Sequence, residues 1–168
     1  GELDAFAPEM TGDEPVRFSV LGLGDVPGGL PEAADATLRA ARDFEARHAG
    51  TVRADRFEFR TRPDEVDAGL AAPLLAMDLG TDAAVALEVP LVGETFDPSR
   101  IEHAAHAIAE VNARAGRPIA ALKLRCGGVT PDLVPGVERV AHAIATCRDA
   151  GAPFKATAGL HHPLPNYD

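Results

Sequence analysis

Five short β-rich runs recur along the chain, and each is followed by a turn and an alanine-rich stretch with helical periodicity. Their starts lie about 30 to 36 residues apart, the length of one β/α unit. Strict alternation of strand and helix predicts parallel strands with right-handed crossovers. The predicted strands are Arg17–Gly22, Arg53–Arg60, Ala84–Val92, Ile119–Cys126 and Phe154–Gly159.

The first and third intervening stretches carry clear helix signals. Pro31 opens the first helix, which ends near Gly50. Asp97 is a predicted N-cap, with Pro98 at the first helical position. The helix that follows should bury its apolar positions Ile101, Ala104, Ala105, Ile108 and Val111.

The helix signals in the two remaining stretches differ in strength. The last helix should stop at Gly151 and bury its apolar positions Val137, Val140, Ala141, Ile144 and Ala145. A weaker helix is predicted between Asp64 and Leu79, because Pro73 interrupts it.

Polar side chains within the strands distinguish between two architectures that fit this alternation. Both faces of an open, doubly wound (Rossmann-like) parallel sheet are covered by helices, so charges within its strands should be rare. The inward face of a TIM-like (β/α) barrel can become polar toward its C-terminal mouth. Three predicted strands carry polar pairs on one face, namely Glu58 with Arg60, Lys123 with Arg125, and Lys155 with Thr157. We therefore predict a partial TIM-barrel-like α/β fold, with the doubly wound sheet as the alternative.

Five units cannot close an eight-stranded barrel. We expect residues 1–168 to form a single β/α domain, a partial barrel that is truncated at one or both ends or completed by another copy. A five-stranded arc would expose unpaired edge strands and an apolar inner face. The pattern therefore predicts a homo-oligomer.

Composition narrows the range of partners. Of 168 residues, 46% are hydrophobic and 25% charged, and the net charge of −10 argues against a nucleic-acid or anionic-membrane surface. No apolar run approaches the ~18 residues of a membrane span.

Without a secretory signal or a CxxC motif, Cys126 and Cys147 are expected to be reduced, as in a cytoplasmic protein. The heavy use of Ala, Arg and Gly is typical of a GC-rich bacterial genome.

Only two of the 16 basic residues are lysines, Lys123 and Lys155, and both lie in predicted strands. Arginine supplies positive charge elsewhere, which indicates that these positions need a compact ammonium whose pKa falls on burial. Composition bias with two lysines extending from strand ends is the structural alternative. A lysine beside another cation, as Lys123 is beside Arg125, can have its pKa lowered enough to form a Schiff base.

The strand ends should bring further polar residues to the same mouth. Glu88 lies among apolar residues, where leaving it unpaired would be costly. It forms either a structural ion pair with a lysine or part of a proton-transfer pair. The candidate catalytic residues are Lys155, Lys123, Glu88, His161 and His162. The candidate substrate-binding or anion-binding residues on the strands are Glu58, Arg60, Arg125 and Thr157.

The loop Gly127–Thr130 follows the fourth strand and precedes a helix. Gly127 and Gly128 would let backbone N–H groups approach an anion such as phosphate, and Thr130 would add a hydroxyl. A tight turn explains the paired glycines equally well. These three residues complete the candidate anion-binding set.

His161 and His162 follow the fifth strand and should point in different directions. Acid–base work or substrate hydrogen bonding is the favoured role. Metal binding would need one of them together with Glu88 or Glu58, and no HxH or HExxH spacing supports it. We therefore expect neither a cofactor nor a metal.

The segment Gly22–Gly29 loosely matches the dinucleotide-binding fingerprint. Pro27 and the paired glycines delay the helix to about Pro31, whereas the fingerprint requires the helix to start within the glycine run. Arg60 could then contact a 2′-phosphate. A dinucleotide-binding Rossmann domain is therefore a further alternative.

The segment from Lys123 to Leu164 resembles the C-terminal part of an uncharacterised bacterial protein family. Members carry K-[IVL]-R-[TC]-G-G-V-T followed by P-F-K-A-T-A-G-L-H-H-P, and this chain reads KLRCGGVT and PFKATAGLHHP, with Cys126 where Thr is expected. The resemblance implies a longer protein and a site around both lysines. More loosely, lysines on adjacent barrel strands are similar to Schiff-base aldolases of the deoxyribose-phosphate aldolase type.

Two classes of function fit these features. A lyase (aldolase) or isomerase would act on a small anionic oxo compound, phosphorylated or not. Lys155 would be its nucleophile or base, and Glu88 would move protons. A non-catalytic anion-binding or assembly module would use the same cations only for recognition.

Overall fold

The sheet of this protein is a curled half-barrel of five parallel strands with helices between them. The computed structural model describes residues 14–22, 26–48, 50–67, 69–93 and 96–159. The strands β1 to β5 are Val16–Leu21, Val52–Arg60, Ala84–Glu88, Ala120–Arg125 and Phe154–Thr157. The α-helices α1 to α4 are Gly29–Arg47, Ala71–Ala76, Pro98–Ala115 and Val137–Ala150.

The strands follow one another across the sheet in chain order, and every neighbouring pair is parallel. This confirms the predicted α/β fold built from sequential β/α units. A doubly wound sheet reverses direction after its first strands, whereas β1 lies at an edge of this sheet. Sequential order and curl together are those of an arc of a (β/α) barrel.

The hydrophobic core lies between the helices and the convex face of the sheet. Side chains alternate between the two faces of each strand, so every second residue points into this core. The largest buried strand residues are Phe57, Phe59, Leu87, Leu122 and Leu124. The residues between them along each strand point to the opposite, concave face.

Helix α3 agrees with the prediction, whereas α2 lies within the predicted stretch but is not interrupted by its proline. Asp97 caps α3 by accepting a hydrogen bond from Ser99 N at 3.0 Å. The predicted apolar face of α3 is completely buried at Ile101, Ala104, Ala105, Ile108 and Val111. Helix α2 is short, with Pro73 in its first turn, where proline is tolerated.

Helix α4 turns its predicted apolar face away from the core. Its fully buried residues are Ala143 and Cys147, whereas Val137 is 79% exposed and Ile144 is 41% exposed. The predicted buried face of this helix is therefore wrong. The helix packs mainly against α3, and within the described ranges no element beyond β5 covers its other side.

The concave face of the sheet is charged and lined by small residues rather than apolar. Ala86 of β3 lies two residues before Glu88, and Ala121 of β4 lies two residues before Lys123, so each alanine shares the concave face with the charged residue that follows it. The expected apolar inner face is therefore wrong, because ion-paired and small side chains hold these positions. Apolar side chains are exposed at the two edge strands instead, at Leu21 of β1, which is 72% exposed, and on the outer side of β5 at Phe154, which is 43% exposed.

Candidate functional site

Four candidate residues form one register row near the C-terminal ends of the strands. Arg60 of β2 is the Cα partner of Glu88 in β3. Glu88 is paired in turn with Lys123 of β4, which is paired with Lys155 of β5. Glu58 lies on the same face of β2, two residues before Arg60. Parallel pairing, rather than closeness along the chain, brings these side chains together.

Glu58 is the centre of an ion-pair network that we call the lysine–glutamate cluster (Glu58, Glu88, Lys123 and Lys155). Its two oxygens lie 2.7 Å from Lys155 Nζ and 2.9 Å from Lys123 Nζ. Lys123 Nζ also lies 2.8 Å from Glu88 Oε2, and Ser19 Oγ donates to Glu58 Oε1 at 2.7 Å. Because one carboxylate binds both ammonium groups, the two lysines lie within about 8 Å of each other, as expected for side chains on neighbouring parallel strands.

The contact between Lys155 and Glu58 depends on the curl of the sheet. The two residues lie on β5 and β2, three strand spacings apart, which would be ~14 Å in a flat sheet. Curling shortens the path across the concave face, and the small side chains of Ala86 and Ala121 leave room above the intervening strands. A flat doubly wound sheet would not place these two groups 2.7 Å apart.

The carboxylate of Glu58 is largely shielded from solvent and is ionised. Its side chain is 9% exposed. Burial alone would raise the pKa of Glu58, but the hydrogen bonds from Lys155, Lys123 and Ser19 outweigh it and lower the pKa to about 2. Glu58 therefore stays negative across the physiological range and is a poor proton acceptor.

Lys123 is held as an ammonium between two carboxylates. Its side chain is 12% exposed. Burial lowers the pKa of Lys123, but the hydrogen bonds to Glu88 and Glu58 raise it above its ordinary value. The expectation that Arg125 lowers the pKa of Lys123 is therefore wrong. Arg125 instead directs its Nε toward Gly127 O, to which it donates at 3.1 Å.

Lys155 is the accessible amine of the cluster. Its side chain is 39% exposed, and its one described partner carboxylate is Glu58. Thr157, two residues further along β5, lies on the same face and is half-buried. Of the two lysines, only Lys155 combines access to solvent with a place in the ion-pair network.

The glycines after β4 are explained by close packing. A Cβ on Gly127 would lie 2.7 Å from Gly159 Cα, and a side chain on Gly128 would overlap Leu133. A 3₁₀ helix at Pro131–Leu133 follows, and α4 begins only at Val137. The loop therefore does not open directly into an α-helix, which a P-loop-like anion site requires. Thr130 is exposed just before the 3₁₀ helix.

Two cavities open at the C-terminal ends of β2 and β3. The smaller, about 190 Å³, is lined by Arg60, Glu88, Arg125, Leu133 and residues 89–92. The larger, about 410 Å³, has Arg60 in its wall and takes its other charged groups from Arg62, Asp64, Asp97 and Arg100. Arg60 is thus shared by both cavities. Within the part of the chain that the structure describes, its guanidinium has no hydrogen-bond or ion-pair partner.

The N-terminus of α1, where a dinucleotide pyrophosphate would bind, is occupied by a side chain. Glu65 Oε1 accepts a hydrogen bond from Leu30 N at 2.6 Å, and Glu65 Oε2 accepts one from Arg62 N at 2.7 Å. A carboxylate at this position satisfies the helix N-terminus and repels a second anion. This arrangement disfavours the dinucleotide-binding alternative.

Other predicted chemistry receives no support from the described residues. His161 and His162 lie outside them. Within those ranges, no group of three or more His, Cys, Asp or Glu side chains could hold a metal ion. Both cysteines are free, and burial raises the pKa of the Cys126 thiol, which disfavours a nucleophilic role. No helix within these ranges is long and apolar enough to span a membrane.

Two residues of the site were not found by the sequence analysis. Ser19 on β1 donates to Glu58, a contact that could be predicted only once the register of β1 with β2 is known. Arg139 of α4 donates to Leu91 O at 3.0 Å and to Gly93 O at 3.2 Å, and its guanidinium lies 4.5 Å from the Phe96 ring centroid. Arg139 thereby fixes the loop that forms one wall of both cavities.

No family model, no curated protein and no solved structure matches the chain. The resemblance of residues 123–164 to a bacterial family therefore stays a prediction. The site is defined by its own geometry, a charged concave face at the C-terminal ends of parallel strands. In α/β folds of this kind, ligands bind at that end of the strands.

Proposed function

We propose that the protein is a lyase of aldolase type, or an isomerase, that acts on a small anionic oxo compound at the concave face. Lys155 supplies the reactive amine. The observation that carries the proposal is the contrast between the two lysines of one register pair. Lys155 is 39% exposed and contacts Glu58, whereas Lys123 is 12% exposed and is held by two carboxylates.

The proposed reaction begins with imine formation. The Lys155 ammonium first loses a proton to water, because Glu58 with its pKa of about 2 does not accept one. The neutral amine attacks the carbonyl carbon and a C–N bond forms. The carbonyl oxygen takes one proton from the nitrogen and one back from solvent, and it leaves as water. The resulting iminium keeps the positive charge of the original ammonium. Ionised Glu58, 2.7 Å from Lys155 Nζ, stabilises that charge throughout.

The second step separates a lyase from an isomerase. The iminium draws electrons from a bond at the neighbouring carbon, so that either a C–C bond breaks or a C–H proton leaves. Glu88, in the same register row, is the proposed proton carrier, and Lys123 fixes its carboxylate at 2.8 Å. His161 and His162 follow Lys155 in the chain and are proposed to assist proton transfer.

Borohydride trapping tests the proposed imine. The protein is incubated with pyruvate, dihydroxyacetone phosphate or glyceraldehyde 3-phosphate, reduced with borohydride and mapped by peptide mass spectrometry. Hydride transfer to the iminium carbon gives a secondary amine, which adds the mass of the carbonyl compound less one oxygen atom. We expect this adduct on Lys155 with at least one probe.

Two variants control this experiment. Lys155→Met should abolish trapping. Lys123→Arg keeps a cation between the two carboxylates but has no amine, so trapping at Lys155 should persist. No adduct with any probe, or adducts confined to Lys123 or to the N-terminal amine, would contradict the imine mechanism.

A non-catalytic anion-binding or assembly module is the second candidate function. The observation that favours it is the pairing of both lysines with carboxylates, since a satisfied network serves recognition or stability without chemistry. Saturable anion binding without any trapped adduct would indicate this class. The two candidates share one site and differ in whether Lys155 forms a covalent bond.

We also infer that the protein assembles as a homo-oligomer. The outer side of the β5 edge exposes Phe154, and neighbouring α4 exposes Val137 and Ile144. At the opposite edge, an apolar cavity of about 230 Å³ lies between β1 and α1, with Phe18 and Phe44 among its lining residues. The outer side of each edge strand is apolar, at Phe18 and Val20 of β1 and at Phe154 and Ala156 of β5, so β5 of one copy can continue the sheet of another at β1.

Two free thiols support a cytoplasmic location, where cysteines stay reduced. The family resemblance supports a site around Lys123 and Lys155, because its two motifs include the C-terminal end of β4 and all of β5. It adds no reaction to the proposal.

A further inference from the structure

Arg60 and Arg125 line the smaller cavity from β2 and β4, on either side of Glu88 in β3. We propose that these two arginines form a phosphate-binding subsite, so that the substrate class is a short oxo compound with a terminal phosphate. The assignment of a reactive carbonyl to the other end of that compound rests on the proposed function. Phosphate binding itself does not depend on it.

Both guanidinium groups have free donors. Arg60 has no hydrogen-bond or ion-pair partner within the described residues. Arg125 uses Nε for Gly127 O at 3.1 Å, which leaves its two terminal nitrogens. Guanidinium presents paired N–H donors that match phosphate oxygens, and two such groups suit a dianion better than a single carboxylate.

The charge around the smaller cavity favours an anion. Among the described residues that line it, Glu88 is the one carboxylate, and Lys123 compensates its charge at 2.8 Å. The lysine–glutamate cluster with Arg60 and Arg125 carries four cations and two carboxylates, which leaves two positive charges in a chain of net charge −10. Such a local excess attracts a dianion.

The larger cavity is less suited to phosphate. Arg62 is engaged with Asp64 at 3.5 Å and with Glu65 at 3.3 Å, and Asp97 adds a further negative charge to the wall. The phosphate is therefore assigned to the smaller cavity, between Arg60 and Arg125. Arg139 stabilises this side by holding the loop that follows β3.

The register places the two arginines and the Lys155 amine within two residues of one level on the concave face. Lys155 lies on the strand next to Arg125, and Arg60 lies in the register row of Lys155. A compound whose phosphate binds between the two arginines can extend along the concave face toward the Lys155 amine. The structure thus assigns the phosphate and the carbonyl to opposite ends of one short molecule.

Calorimetric titration with inorganic phosphate tests the subsite, with acetate as the carboxylate probe. We expect saturable phosphate binding that weakens about tenfold or more in Arg60→Gln and in Arg125→Gln, the loss typical of a charge-assisted hydrogen bond. Both side chains are exposed, so both variants should keep the wild-type circular dichroism and Tm. Arg56→Gln, on the same face of β2 but outside both cavities, should bind phosphate within twofold of the wild type.

Three results would overturn the subsite: no saturable phosphate binding, acetate binding as tight as phosphate binding, or equal loss in Arg56→Gln and Arg60→Gln. Failure of the reaction is separable from failure of the subsite. Phosphate binding that depends on the two arginines, without a Lys155 adduct, would contradict the proposed reaction but support the subsite. A Lys155 adduct with pyruvate, without phosphate binding, would support the reaction but contradict the subsite.

Discussion

Lys123 and Glu88 are direct partners in the register of β3 and β4, and Lys123 Nζ lies 2.8 Å from Glu88 Oε2. Both side chains are about one-tenth exposed, at 12% and 10%. A buried pair of this kind is costly to break, because the remaining charge loses both its partner and its water. Lys123, which is held in this pair, is therefore the structural lysine of the cluster, whereas Lys155 is the accessible one.

Lys123→Met should destabilise the protein strongly. It leaves Glu88 as a buried carboxylate without a cation, for which about 3–5 kcal/mol is typical. Urea unfolding monitored by circular dichroism measures the loss. The double variant Lys123→Met, Glu88→Leu removes both charges and should recover most of the stability; a double variant as unstable as the single one would contradict the argument.

Lys155→Met should leave the fold intact and cost less than about 1 kcal/mol, the usual range for a partly exposed ion pair. Glu58 keeps Lys123 at 2.9 Å and the hydroxyl of Ser19 at 2.7 Å in this variant. The same urea titration checks the result. Loss of folded protein would instead make Lys155 a structural residue and remove the basis for a catalytic role.

Acid should destabilise the protein through Glu58. Its pKa is lowered from 4.5 to about 2 in the folded chain, so its contribution to stability is complete above pH 4.5 and is lost as the pH falls toward 2. The shift corresponds to on the order of 3 kcal/mol at about 1.4 kcal/mol per pH unit. Carboxyl-carbon NMR should show Glu58 titrating near pH 2; a midpoint near 4.5 would contradict the ion-pair geometry.

Gly127→Ala should disturb the junction between the ends of β4 and β5. The new Cβ would lie 2.7 Å from Gly159 Cα and 2.8 Å from Gly159 N, backbone atoms that cannot move aside cheaply. A loss of about 1–3 kcal/mol is expected for such overpacking. Gly136→Ala is the control, since its φ of −62° suits any residue and its nearest neighbour is the flexible end of Glu138 at 3.4 Å. Equal thermal stability of the two variants would refute the close-packing explanation.

Self-association should depend on the β5 edge. Sedimentation at micromolar concentration should show an oligomer whose interface buries more than about 1,000 Å². Val137→Asp and Phe154→Asp place a charge on side chains that are 79% and 43% exposed, so they should dissociate the oligomer without unfolding the subunit. Val129→Asp, at a 94% exposed valine in the loop after β4, should not dissociate it. A wild-type protein that sediments as a stable monomer would contradict the proposed assembly.

Much of the fold could be predicted from local signals in the sequence. The apolar runs place the starts of all five strands within one residue of the observed ones, although β3 ends at Glu88 and not at the predicted Val92. The Asp97 cap with its apolar periodicity fixes α3. These features depend on neighbouring residues and on side-chain alternation, which the linear chain contains. The same reasoning predicted that Lys123, Lys155, Glu88 and Glu58 share one face, because parallel strands bring their C-terminal ends together.

The tertiary structure alone decided how those residues interact. Glu58 contacts Lys155 across three strand spacings only because the sheet curls, and curl is a property of the whole sheet. The raised pKa of Lys123 follows from two carboxylates on other strands, although the nearest charged residue along the chain is the cation Arg125. The buried side of α4 likewise depends on the position of α3, so its own periodicity predicted the wrong face. Sequence determines which side chains are available on each element, whereas distances between elements determine which charges meet.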